Sequence, residues 1–159
     1  MALNEAMFND NGQCGYILKP NFLRDLSICF NPNEEPKLFE KLNIKIISAQ
    51  NLPSPEDGTE MKTFVKIKVY GIPSDNAQHK TETKKMGFGP IWDDPPFSFQ
   101  IHCPELAFIK FTIKDEITGT RYGEYCVRYI NMREGMKTKN SNSSIICFVN
   151  LVIWRPRDF

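Results

Sequence analysis

The sequence predicts an all-β fold, an antiparallel sandwich of short strands, on three observations. From Leu38 onward apolar and polar residues alternate with a period of two. Clusters of Gly, Pro, Asn and Asp separate the alternating runs, and no helical period of useful length interrupts them. Alternation turns one row of side chains toward a core and the next toward solvent, and strands joined by turns without helices pair antiparallel.

The first forty residues differ from the rest. Asn4, Asn9, Asn11, Gly12, Gly15, Pro20, Asn21, Asn31, Pro32, Asn33 and Pro36 are scattered through them, which is loop and linker chemistry. The strands follow. Leu42, Ile44 and Ile46 alternate with Asn43 and Lys45; Val65, Ile67 and Val69 alternate with Lys66, Lys68 and Tyr70. Phe97, Phe99 and Ile101 alternate with Ser98 and Gln100, and Ala107, Ile109, Phe111 and Ile113 alternate with Phe108, Lys110, Thr112 and Lys114. Tyr122 to Ile130 forms a later strand. Ile145 to Trp154 is apolar on both faces, as a central strand is.

The 159 residues suffice for one domain with its own core, and 41% hydrophobic with 25% charged residues is globular composition. Lysine plus arginine number 20 against 19 aspartates and glutamates, so global charge makes no case for nucleic acid and any basic surface is local. The five cysteines, Cys14, Cys29, Cys103, Cys126 and Cys147, are odd in number and show no C-x-x-C spacing with nearby histidines, indicating neither a disulfide framework nor a zinc site. No secretory signal opens the chain, and no apolar run approaches the length needed to span a bilayer. The expectation is a reduced, cytoplasmic protein, in which the Asn142-Ser143-Ser144 sequon carries no meaning.

Catalytic chemistry is not indicated. His102 precedes Cys103, but strand neighbours point to opposite faces and do not make a nucleophile–base pair. No G-x-S-x-G, P-loop, dinucleotide fingerprint or H-E-x-x-H occurs, and the acidic clusters (Glu56, Asp57 and Glu60; Asp93 and Asp94; Asp115 and Glu116) sit at turns where solvated carboxylates are common. The basic residues form a pattern. Lys66 and Lys68 share one strand face, Lys45 holds the same position on the preceding strand, and Lys80, Lys84 and Lys85 flank the next. If these strands are neighbours, a lysine stripe crosses one sheet and attracts anionic lipid; a solvated face with interspersed glutamates such as Glu82 fits the same pattern.

Two stretches are more specific. Leu3-Asn4-Glu5 and Asn11-Gly-Gln-Cys-Gly-Tyr-Ile-Leu-Lys-Pro-Asn-Phe-Leu-Arg24 closely resemble the end of the catalytic barrel of eukaryotic phosphoinositide-specific phospholipase C, where an NG-x-CGYVLKP-x-FLR string leads into a C2 domain. Downstream, Leu42 to Leu52 looks like that family's first C2 strand, Gly87-Phe-Gly-Pro-Ile-Trp92 resembles its GF-N-P-x-W, and Pro104-Glu-Leu-Ala-Phe-Ile-Lys-Phe111 resembles its PELA-x-x-RF. The resemblance implies an eight-stranded antiparallel C2 β-sandwich preceded by a loop-rich segment from the end of a TIM-like barrel. Residues 1–24 would be the barrel remnant, 25–36 a linker and 37–159 the C2 domain.

The resemblance also implies a division of labour. The family hydrolyses phosphatidylinositol 4,5-bisphosphate to diacylglycerol and inositol trisphosphate with calcium and a histidine pair, all of whose positions precede the first matching segment. This chain would be inactive alone and hold none of the active-site calcium. At the C2 tip, the family's first-loop Asp-Pro falls at Lys62-Thr63, Asp115 matches the first aspartate of D-x-D, Ile117 replaces the second, and Thr120 and Arg121 replace a later one. Asp115 is the retained calcium-ligand position, with Glu56, Asp57 and Glu60 offset from the pattern. Calcium binding at the tip is therefore expected to be weak or absent, and Lys62 and Arg121 would suit anionic lipid without metal. The segment between Gly135 and Ile145 is shorter than the family's usual last hairpin, and Trp154 to Phe159 is an unassigned tail.

The expected role is a membrane-docking module on the cytoplasmic face of the inner membrane surface, with Lys45, Lys62, Lys66, Lys68, Lys80, Lys84, Lys85 and Arg121 as membrane contacts. Its expected partners are anionic lipids (phosphatidylserine, phosphoinositides) and the parent's catalytic barrel, against which Tyr16, Ile17, Leu18, Phe22 and Leu23 would be buried. The competing reading is a C2 protein-interaction scaffold with little lipid affinity.

Overall fold

Period-two alternation sorts the chain after Leu38 into two antiparallel sheets packed face to face. The computed structural model describes residues 2–34, 38–50, 52, 61–85 and 89–133, and the backbone of 137–139 and 148–154. In chain order the strands are β1 (Glu40–Gln50), β2 (Lys62–Tyr70), β3 (Ala77–Lys80), β4 (Lys84–Lys85), β5 (Phe97–Ile101), β6 (Phe108–Asp115), β7 (Arg121–Arg128), β8 (Lys137–Lys139) and β9 (Phe148–Trp154). One sheet has the order β5-β1-β9-β8; the other runs β3-β2-β6-β7, with β4 also pairing on β2. The expected eight-stranded sandwich is thus present, the additional strand being the two-residue β4. β9, the Phe148–Trp154 part of the predicted Ile145 to Trp154 strand, lies between β1 and β8, as its apolar character on both faces predicts, while residues 145–147 lie outside the described residues.

The facing surfaces carry the residues that alternation assigns to the core. Leu42, Ile44 and Ile46 of β1, Val65, Ile67 and Val69 of β2, Phe99 and Ile101 of β5, and Ile109, Phe111 and Ile113 of β6 are all buried in one cluster. Each such side chain contributes about 1.5–3 kcal/mol through removal from water. Trp92 plugs the same core, its indole N–H donating to the Thr63 carbonyl at 3.4 Å. The chain before it docks on the β1 bulge: Ala49 N–H donates to the Pro90 carbonyl at 3.1 Å and Trp92 N–H to the Ile47 carbonyl at 2.8 Å. A Cβ at Gly89 would lie 2.8 Å from the Ala49 carbonyl oxygen, so this close approach requires glycine.

Ahead of the sandwich, the loop-rich segment contains one element that its asparagines conceal, helix α1 (Ala2–Asp10). Ala2, Leu3, Glu5, Ala6 and Met7 are good helix formers and outweigh Asn4 and Asn9. The helix stops where Gly12 and Gln13 take left-handed φ angles of 61° and 64°, and Gln13 N–H reaches back to the Phe8 carbonyl at 2.8 Å. α1 lies against β7.

Asp75 closes the end of the sandwich at which β2 and β5 finish. Its buried carboxylate accepts from the backbone amides of His102 (2.6 Å) and Cys103 (3.2 Å), and from His102 Nδ1 at 3.1 Å. His102 therefore serves architecture, with its ring fixed on a carboxylate that also holds the end of β5.

Candidate functional site

Two regions could carry function, the loop tip at the end of β6 and the outer face of the sheet formed by β3, β2, β6 and β7.

At the tip, Asp115 is buried and its carboxylate is fully engaged. Oδ1 accepts from Lys62 N–H at 3.0 Å, and Oδ2 accepts from Thr118 N–H at 2.7 Å and Thr118 Oγ1 at 2.8 Å. Burial alone would raise its pKa, but these hydrogen bonds, with another from the Ile117 amide, hold the carboxyl below its ordinary value. Gly119 turns the loop at φ 71°, and its N–H donates to the Asp115 carbonyl at 3.1 Å. Glu116 is held by Lys80 at 3.0 Å. A calcium ion wants six to eight oxygens. Among the described residues no group of three or more His, Cys, Asp and Glu side chains comes together, and the described residues of this tip do not fit that ion. Glu56, Asp57 and Glu60 lie outside the described residues. Ile117 stands 67% exposed at the apex.

The sheet face is built by register. Across β2, β6 and β7, Phe64, Lys114 and Arg121 form one row; Lys80 of β3, Lys66, Thr112 and Glu124 form the next. Gln78 of β3, Lys68, Lys110 and Cys126 follow, and then Tyr70, Phe108 and Arg128. Their side chains point away from the core because Val65, Ile67, Ile109, Phe111 and Ile113 take the alternate positions. Lys66, Lys68, Lys110, Lys114 and Arg121 surround an open groove of about 330 Å³, with Glu124 at its β7 side. Lys110 Nζ lies 2.8 Å from Glu124, and Arg121 pairs with the same carboxylate. Lys68 sits over the Tyr70 ring at 4.4 Å, and Lys80 over Phe64 at 3.9 Å. Lys66 and Lys114 have no ion-pair partner among the described residues.

The predicted basic residues divide accordingly. Lys66, Lys68 and Lys80 share this face, and Arg121 joins it. Lys45 does not: it belongs to β1 in the other sheet, where it pairs with Asp93 at 2.7 Å. The lysine stripe therefore does not extend to Lys45, because β1 and β2 are consecutive in sequence but lie in different layers. Lys84 and Lys85 stand on β4, opposite Thr63 and Lys62, with Lys84 bound to Glu82 at 2.7 Å. Lys110, Lys114 and Glu124 were missed as site residues; alternation on β6 and β7 assigns them to the outer face, but only the strand order brings them beside Lys66 and Lys68.

Burial raises the pKa of both Cys103 and Cys126, the latter to about 11, so both are neutral thiols near pH 7.

The segment between α1 and β1 exposes apolar side chains: Tyr16 is 89% exposed, Leu18 76%, and Leu26 entirely. Phe22 packs on Phe30 with ring centres 4.7 Å apart, and Met7, Phe8 and Ile17 line an apolar recess beside α1. No helix among the described residues is long and apolar enough to cross a membrane.

Comparison with known proteins agrees with this geometry. Residues 40–148 match the model of the C2 domain. The chain is 36% identical over 151 residues to 1-phosphatidylinositol 4,5-bisphosphate phosphodiesterase delta-4 of Xenopus laevis, covering 86% of this chain and 19% of that protein. It is 38% identical over 145 residues to the zeta-1 phosphodiesterase of Sus scrofa, covering 86% and 23%. The chain thus spans about a fifth of the length of these curated relatives. A crystal structure of S. officinalis PLC21 superposes with a TM-score of 0.82 at 26% identity, over 99% of this chain and 22% of that one.

Proposed function

The chain belongs to the C2 domain family, in the form found in phosphoinositide phospholipases C, and from that premise we propose that it docks a phospholipase C on anionic membrane without calcium. The observation that carries this reading is the outer face of the β3-β2-β6-β7 sheet, where Lys66, Lys68, Lys110 and Lys114 line one groove and Lys66 and Lys114 are unpaired among the described residues. Each such cation near an anionic leaflet is worth about 1 kcal/mol.

Calcium independence is argued from the tip. The amides of Lys62 and Thr118 occupy the Asp115 carboxylate, so loop order there comes from hydrogen bonds internal to the protein. Exposed Ile117 provides an apolar contact beside Lys62.

In this reading residues 1–24 end the catalytic barrel, 25–36 link, and 37–159 are the C2 domain. Exposed Tyr16 and Leu18, with the recess at Phe8 and Ile17, pack on the barrel of the parent enzyme. Hydrolysis of phosphatidylinositol 4,5-bisphosphate belongs to that parent, and this chain supplies placement at the cytoplasmic face of the membrane. Flotation on phosphatidylserine vesicles against neutral phosphatidylcholine vesicles tests the reading. Binding to the anionic vesicles alone supports docking; equal absence from both leaves the scaffold function as the better account.

A further inference from the structure

We propose that Glu124 is an internal restraint on the docking face, holding Lys110 and Arg121 in ion pairs that an anionic membrane surface must displace to engage them. The inference rests on the docking reading and adds a regulatory element to the same face. Three observations carry it. Glu124 is the one acidic side chain among those lining the groove with Lys66, Lys68, Lys110, Lys114 and Arg121. Its two oxygens are divided, Oε1 facing Lys110 and Oε2 facing Arg121. The Glu124 and Lys110 side chains are only 18% and 21% exposed, so water screens this pair less than a typical surface pair.

Ionisation of Glu124 is consistent with the role. Burial would raise its pKa, but hydrogen bonds from Lys110 and Arg121 and the charges of both outweigh it, leaving the carboxyl below its usual value. At neutral pH the groove therefore presents two kinds of cation: Lys66 and Lys114, free to meet lipid phosphates, and Lys110 and Arg121, already matched. A phosphate on the membrane competes with Glu124 for the second kind.

Glu34→Gln separates this restraint from overall charge, and the comparison of Lys66→Met with Lys110→Met separates it from local charge at the groove. Wild type, Glu124→Gln and the equal-charge control Glu34→Gln, whose side chain does not line the groove, are titrated with phosphatidylserine vesicles in chelator. Neutral vesicles serve as blanks. The restraint predicts binding about five-fold tighter for Glu124→Gln, the worth of one charge near the surface. Glu34→Gln should gain clearly less. Equal gains for the two variants, or no gain for Glu124→Gln while wild type still binds through Lys66 and Lys114, overturn the restraint alone. Failure of wild type, Glu124→Gln and Lys66→Met to differ on any anionic vesicle overturns the docking reading with it.

A second comparison uses the intact Glu124 and decides the case should Glu124→Gln not fold. Lys66→Met and Lys110→Met remove the same charge from the same groove. The restraint predicts the larger loss for Lys66→Met, because Lys110 is held away from lipid. Equal losses contradict it.

Discussion

The carboxylate of Asp115, at the end of β6, accepts the backbone N–H of Lys62, at the start of β2, at 3.0 Å across a sequence separation of 53 residues. This bond and the Thr118 bonds to the same carboxylate make the tip an internally hydrogen-bonded structure. Asp115→Ala leaves the Lys62 and Thr118 amides without this acceptor, and loss of stability of about 1–3 kcal/mol is expected in urea unfolding. Added calcium should leave the wild-type Tm unchanged.

The pH dependence of that loss follows from the lowered Asp115 pKa. A carboxyl held below its unfolded value stabilises the fold at pH above the unfolded pKa, near 3.8, and the contribution disappears as pH falls through the lower folded value. The difference in stability between wild type and Asp115→Ala should be full at neutral pH and shrink below about pH 4. A difference that grows on acidification contradicts the assignment.

Lys66 and Lys114 lie diagonally across β2 and β6 on the groove and have no ion-pair partner among the described residues. Replacing both with alanine should weaken binding to phosphatidylserine vesicles by about 2 kcal/mol, or roughly thirty-fold, with unchanged thermal stability. Lys45→Ala, on the other sheet and paired with Asp93, should have a much smaller effect. Equal losses from the two variants would mean that the membrane meets the sandwich elsewhere.

Gly71 lies under Asp75: a Cβ there would fall 2.6 Å from the Asp75 carboxylate oxygen. Gly71→Ala pushes that carboxylate off the His102 and Cys103 amides, and should destabilise the fold by about 1–3 kcal/mol in denaturant titration. Lipid binding by the folded fraction should be largely retained, because none of Gly71, Asp75, His102 and Cys103 lines the groove.

Exposed Tyr16 and Leu18 predict self-association of the isolated chain at high concentration. Tyr16→Ser with Leu18→Ser should reduce it in sedimentation velocity while leaving Tm unchanged. A fall in Tm would show that these side chains stabilise the chain itself.

The sandwich was legible because period-two alternation is a local signal: Val65, Ile67 and Val69 announce their face without knowledge of any partner strand. The GFGPIW stretch was legible as a motif, though only the structure shows Gly89 against the Ala49 carbonyl and Trp92 in the core. The groove was only half legible. Lys66 and Lys68 declare their outward face, but their meeting with Lys110, Lys114 and Glu124 depends on the order β2-β6-β7, which joins segments distant in sequence. The same limit explains Lys45, whose strand follows the right period in the other sheet. α1 was hidden by Asn4 and Asn9, loop-forming residues overruled by the helix formers around them.

The central claim, calcium-independent electrostatic docking, is tested most directly by co-sedimentation of the chain with phosphatidylserine/phosphoinositide vesicles, in calcium and in chelator, over a range of salt. Docking through the groove predicts equal binding with calcium and with chelator, falling steeply as salt shortens the Debye length from about 10 Å at 0.1 M toward about 3 Å at 1 M. Binding that appears only with calcium, or that ignores salt, would contradict it.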